Sequence, residues 1–145
     1  MRILGIDYGG TRIGLATSDA LGMMAHGLPT LRNTSDADVL KAIQAIIEER
    51  EVKEIVIGLP RNMNDTLGPQ AEKTMQFGDK LKTAFGLPVH YVDERLTSER
   101  AKRLMVEAGY SFSKQRKNVD RIAAQFILQA YLDGQKRAKT ETEGG

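Results

Sequence analysis

Asp7 closes an apolar run, Ile3-Leu4-Gly5-Ile6, and stands just before two glycines in the string GIDYGGTRIG. Two chemistries use a carboxylate and a glycine turn in that order. The turn can wrap a nucleotide phosphate, as in sugar kinases, or the carboxylate can hold a metal ion for cutting nucleic acid. A second acidic position, the pair Asp93-Glu94, follows the apolar run from Leu87 to Val92. A third, Asp120, opens a stretch that is apolar nearly all round, from Ile122 to Leu132. Singly, each acid has an ordinary structural reading: a turn cap, a solvated strand end, a first-turn helix acid. Together they would need a cation or a proton, because close carboxylates repel.

Composition narrows the choice of cation. The chain has 145 residues, no cysteine and two histidines, His26 and His90. Disulfides and thiolate zinc sites are excluded, and a histidine-rich centre is disfavoured. Oxygen ligands point instead to Mg²⁺ or Mn²⁺. Net charge is only +2, yet Arg95 to Arg121 holds eight basic residues against three acids. A basic face on a near-neutral protein suits an anionic partner such as nucleic acid, although a solvated helix would read the same way. No apolar stretch approaches the roughly 20 residues that cross a bilayer, and the first apolar run is too short for a signal peptide. A cytoplasmic protein without a membrane partner is expected.

The elements that must position the acids follow from periodicity. Arg2 to Asp7 reads as a buried strand, Gly9-Gly10 as a tight turn tolerating positive φ, and Arg12 to Ser18 as the returning strand. A third strand falls within Met24 to Arg32. Ser35 caps a helix whose apolar positions Val39, Leu40, Ile43, Ile46 and Ile47 run to about Arg50. Glu54 to Ile57 is a strand, Pro69 to about Phe85 a helix, and Leu87 to Val92 a strand. Thr97 caps a third helix ending at Gly109, and Tyr110 to Lys117 is a basic loop. Val119 to about Gly134 is a buried final helix. The reading is one domain over 1–134, with 135–145 a disordered tail.

A hairpin-led meander followed by βαβ crossovers gives an α/β fold of ribonuclease H-like topology. Its five-stranded mixed sheet, with the first three strands antiparallel, is flanked by helices. The carboxyl ends of parallel strands share one edge in such folds. Asp7, Glu94 and Asp120 would converge there, and a divalent metal is the simplest reason for them to do so. Adjacent strand residues face opposite ways, so only one of Asp93 and Glu94 can point into the site.

Four segments, GIDYGGTRIGLATSD, IVIGLPRNMNDTLGPQA, VDERLTS and VDRIAAQFILQAYLD, occur in an order that resembles the YqgF (RuvX) family. These are bacterial ribonuclease H-like proteins associated with Holliday-junction resolution and pre-ribosomal-RNA cleavage, and the match covers nearly the whole chain. Asn64-Asp65 departs from the acid-glycine pair expected there, which bears on the shape of that loop. The resemblance implies Asp7, Glu94 and Asp120 as the catalytic, metal-binding set, and its motif favours Glu94 over Asp93. One or two ions (Mg²⁺ or Mn²⁺) would bridge a scissile phosphate, roughly 4 Å apart if two. Arg12, Arg61, Asn62, Arg95, Lys114, Arg116 and Lys117 surround the acids in sequence and could hold backbone phosphates.

Tyr8 and Tyr110 are read as core packing before base stacking, and His90 as structural. The kinase reading lacks a second domain, a second glycine-rich phosphate motif and a Walker sequence. The expected activity is metal-dependent hydrolysis of phosphodiester bonds in precursor ribosomal RNA, at the 5′ end of pre-16S rRNA. The alternatives are a resolvase acting on branched DNA, which would need a dimer, or a non-catalytic RNA-binding protein in ribosome maturation or transcription. A monomer or weak homodimer is expected.

Overall fold

The computed structural model describes residues 2–62, 64, 66–93 and 119–144, with side chains described as far as Gln135 in the last helix. The expected helix from Thr97 to Gly109 and the basic loop that follows it lie outside these residues. The order is β1 (Arg2–Tyr8), β2 (Arg12–Ser18), β3 (Ala25–Arg32), α1 (Asp36–Arg50), β4 (Val52–Leu59), α2 (Pro69–Phe85), β5 (Val89–Asp93) and α3 (Val119–Gly144). The strands form one sheet ordered β3-β2-β1-β4-β5. β1, β2 and β3 pair antiparallel, whereas β4 runs parallel to β1 and β5 parallel to β4.

Strand alternation divides the apolar residues between two faces. Leu4, Ile6, Ile13, Leu15, Ile55 and Ile57 turn to Val39 and Ile43 of α1 and to Phe77 and Leu81 of α2. Ile3, Ala16, Ala25 and Val56 turn the other way, to Ala124, Ile127, Leu128 and Leu132 of α3. Burying each leucine or isoleucine contributes about 1.5–3 kcal/mol relative to leaving it in water. These two cores fix which face each strand residue serves. Ile3, Gly5 and Asp7 share the α3 face of β1.

Local chemistry sets the boundaries. The Ser35 hydroxyl accepts the Asp38 N–H at the head of α1. Glu51, at φ 54°, turns the chain directly from α1 into β4, so β4 starts at Val52, earlier than its apolar run suggests. Pro69 opens α2, and Gly86, at φ 64°, closes it. β5 starts at Val89, after Pro88, which has no N–H to give and supplies only its carbonyl, to Ile55. α3 continues to Gly144, past the Gly134 end expected from the apolar pattern, as helical backbone over the stretch read as a disordered tail. Gly134 costs a helix only about 1 kcal/mol, and the lysine, arginine and alanine beyond it are good helix formers. Among the described residues, no helix is long and apolar enough to cross a membrane.

The Gly9-Gly10 turn differs from expectation. The positive-φ glycines among the described residues are Gly22 and Gly86, not this pair. Gly9 is needed for space instead, since a Cβ there would stand 2.5 Å from the Arg12 carbonyl oxygen.

Candidate functional site

Asp7 lies at the carboxyl end of β1, directly opposite Gly14 of β2. Gly14 in turn supports the start of α3, because a Cβ on it would collide with the backbone carbonyl of Asp120. The missing side chain lets the first turn of α3 rest on the strand beside Asp7. Farther along, Gly5 receives Leu128, whose Cβ would be 2.7 Å from an added Cβ, and Gly27 of β3 lies beneath the aliphatic stem of Arg121. Glycine on three neighbouring strands thus brings helix and sheet close together. Two carboxylates 113 positions apart in sequence come to one rim by this route.

Asp120 is not a bare charge. Arg12 Nε lies 3.0 Å from its Oδ2, the arginine side chain being 61% exposed and the aspartate 21%. Arg12 stands at the start of β2 on the α3 face, two residues before Gly14, and pairs across the strands with Arg32 of β3. Directly opposed residues in an antiparallel pair share a face, and like charges so placed repel. Arg32 and Arg121 were not singled out from the sequence. A strand-end arginine shows its cross-strand partner only when the register is known.

The Asp93-Glu94 pair is partly resolved by alternation. Tyr91 packs against Gly78 of α2, and Val92 joins the α3 core. Asp93 therefore belongs to the α2 face, away from Asp7 and Asp120. Glu94, Arg95, Lys114, Arg116, Lys117 and Tyr110 lie outside the described residues. Among the described residues, no cluster of three metal-ligating side chains occurs. What is described suits a hard cation in its donor type: Asp7 and Asp120, both carboxylate residues, flank Gly14, one opposite it on β1 and the other above it at the start of α3.

Arg61 follows β4, and Asn62 builds the loop that comes next. The Asn62 backbone N–H donates to the Thr66 carbonyl at 2.9 Å, and its side-chain amide donates to Thr66 Oγ1 at 3.0 Å. That hydroxyl donates to Asn64 Oδ1 at 2.6 Å. Asn64 thus closes the loop at the position where an acid was expected. Gln70 of α2 reaches the Tyr8 carbonyl at 3.5 Å, tying this side of the rim to β1.

Residues with other candidate roles have packing roles here. Tyr8 stacks on Phe77, ring centroids 4.2 Å apart. His90 stacks on Tyr131 at 5.3 Å and lies 3.7 Å from Glu54, to which the Tyr131 hydroxyl donates at 3.1 Å. Burial, with Glu54 close by, pushes the Tyr131 hydroxyl pKa above its usual value. Asp19, from the TSD end of the first motif, accepts the Met23 N–H at 2.9 Å, which holds its pKa below the usual carboxylate value. It shapes the β2–β3 turn, at the opposite end of β2 from Arg12. A cleft of about 490 Å³, bordered by Ile3, Leu21, Met23, Glu54 and Tyr131, also lies toward that end.

Comparison with known proteins bears on the family and the fold. The sequence model of the family described as RuvX, Holliday junction resolvase, matches residues 1–134. A protein from Clostridium botulinum, provisionally named a pre-16S rRNA nuclease, is 50% identical over 133 residues, covering 92% of this chain and 97% of its own. One of the same provisional name from Caldanaerobacter subterraneus is 44% identical over 139 residues, covering 95% and 100%. Among solved structures, Thermus thermophilus RuvC in complex with a Holliday junction substrate superposes with TM-score 0.59 at 15% identity, covering 94% of this chain and 96% of that one. The fowlpox virus Holliday junction resolvase gives 0.56 at 11% identity, covering 92% and 99%. At such identities the structural likeness speaks for the fold, and the sequence matches speak for the family. The chain belongs to the RuvX family.

Proposed function

We propose that this protein is a divalent-metal-dependent nuclease that hydrolyses phosphodiester bonds in precursor ribosomal RNA, at the 5′ end of pre-16S rRNA. The observation that carries the site is the meeting of Asp7 and Asp120 across Gly14. The names of its relatives support the substrate. Asp7, Glu94 and Asp120 form the acidic set in this reading. Glu94 completes it because Asp93 belongs to the other face of the sheet. Mg²⁺ or Mn²⁺ held there would supply charge neutralisation at the phosphate and a more acidic water.

The chain's own groups do the rest. Asp7, on a strand buried on both faces, and Asp120, on a helix pressed against the sheet, offer carboxylates whose spacing is set before substrate arrives. Arg12 and Arg32 present guanidinium groups along the same rim, suited to holding backbone phosphates. Arg61 and Asn62, with Arg95 and the basic residues Lys114, Arg116 and Lys117, extend that role, which positions the strand more than it reads its sequence. A monomer or weak homodimer in the cytoplasm accommodates this activity.

The test is a cleavage assay on end-labelled pre-16S rRNA and on a synthetic four-way DNA junction, each with EDTA, Mg²⁺ or Mn²⁺. Metal-dependent cutting of the RNA that Asp7→Asn abolishes supports the proposal. Symmetric cutting of the junction alone would move the substrate to branched DNA, the activity in the family's description. RNA binding without cleavage in any metal would make the protein a non-catalytic binder.

A further inference from the structure

We propose that Arg12 is an exchangeable counter-ion of Asp120, so that arrival of a nucleic-acid phosphate frees the carboxylate for a divalent cation. The inference rests on the nuclease reading above. It adds a coupling between the two ligands, carried by one side chain.

Three observations point to the exchange. Arg12 Nε is 3.0 Å from Asp120 Oδ2 and so places a positive charge on an oxygen that the cation would use. The two partners differ in freedom. The Asp120 backbone rests on Gly14 and its side chain is 21% exposed, whereas the Arg12 side chain is 61% exposed and can swing without disturbing either core. Finally, Arg32 stands directly opposite Arg12 on the same face. That repulsion favours Arg12 staying on Asp120 while no anion is present, and it favours a phosphodiester between the two arginines once one arrives. A guanidinium fork matches a phosphate better than a single carboxylate oxygen does, because it can give two parallel N–H bonds to it.

Two consequences follow by linkage. RNA should tighten cation binding, and the cation should tighten RNA binding by the same factor. A protein without substrate would hold the cation weakly and so would not be loaded away from RNA.

The experiment measures Mn²⁺ affinity by electron paramagnetic resonance, with and without a saturating short phosphorothioate RNA, after subtracting an RNA-only blank. In the wild type, RNA should tighten Mn²⁺ binding on the order of 10-fold, within the usual range of coupling. Arg12→Gln should bind Mn²⁺ several-fold more tightly than wild type without RNA, and RNA should add less than about twofold. Arg12→Lys, which keeps the charge, should stay near wild type without RNA. Circular dichroism checks that each variant is folded. If Arg12→Gln binds Mn²⁺ no better than wild type, or keeps the full response to RNA, the counter-ion idea is overturned. Asp120→Asn tells this apart from failure of the site itself. Loss of Mn²⁺ binding in that variant leaves the acid site standing whatever Arg12 does, and wild-type binding removes Asp120 from it.

Discussion

Asp120 faces a guanidinium at 3.0 Å, and this changes what its removal should do. From sequence alone, neutralising one of several converging acids relieves repulsion and stabilises the metal-free fold. With Arg12 already compensating the charge, Asp120→Asn exchanges that relief for a lost ion pair. Both partners are at least partly exposed, so the pair contributes about 0–1 kcal/mol. Asparagine also keeps a side chain of nearly the same size and still suits a helix start. The melting temperature in EDTA should therefore move by only a few degrees. Cleavage should fall by more than the roughly 10–100-fold that loss of an outer-shell partner of a metal ligand costs. A large drop in melting temperature would make Asp120 a structural acid. Wild-type cleavage would assign any activity to another site or to a contaminant.

Between elements, the decisive contact is backbone against backbone, where α3 meets β2 at Gly14. Gly14→Ala puts a methyl group into the Asp120 carbonyl, and neither side can give way by a rotamer change. The helix start must lift, at a cost of about 1–3 kcal/mol, and Asp120 moves with it. Thermal denaturation and Mn²⁺ titration of that variant should both show the loss. Gly10→Ala is the matched control: an added Cβ meets nothing within 4 Å and φ is not positive, so stability should stay within about 0.5 kcal/mol. Normal Mn²⁺ binding in Gly14→Ala would separate the helix seat from the site. Much of this architecture was legible beforehand. The apolar run of β1, the alternation in β2, the Ser35 cap and Pro69 mark their elements with local chemistry. The same applies to Asp7 and Asp120, which stand out against apolar surroundings. What could not be read was spatial. Gly9-Gly10 suggests a left-handed turn, yet Gly9 serves clearance. Gly5, Gly14 and Gly27 have no common meaning until three strands lie side by side. The Arg12–Asp120 pair joins residues far apart in sequence, and neither end signals the other. β4 and β5 were misjudged at their starts, where Glu51 and Pro88 act through backbone geometry that an apolar count does not register.

At the scale of the whole molecule, charge is concentrated while the total stays near zero. Eight of the 21 lysines and arginines fall between Arg95 and Arg121. Affinity for single-stranded RNA should fall with salt in proportion to the phosphates neutralised, with a log–log slope of about −0.7 per phosphate. Replacing Lys114, Arg116 and Lys117 together by glutamine should flatten that slope by up to about two units. An unchanged slope, measured by fluorescence anisotropy across a salt series, would show that these residues do not meet the strand. The placement of Asp120 on α3 has a further consequence, for the timing of synthesis. The five strands among the described residues are encoded by residue 93, and α3 begins at residue 119. A ribosome therefore completes the sheet before it has made the helix that carries the second described acid. Until α3 emerges and settles on Gly5, Gly14 and Gly27, Asp7 has no Asp120 beside it. On the nuclease reading, a half-made chain is inert toward the RNA of the ribosome that is making it.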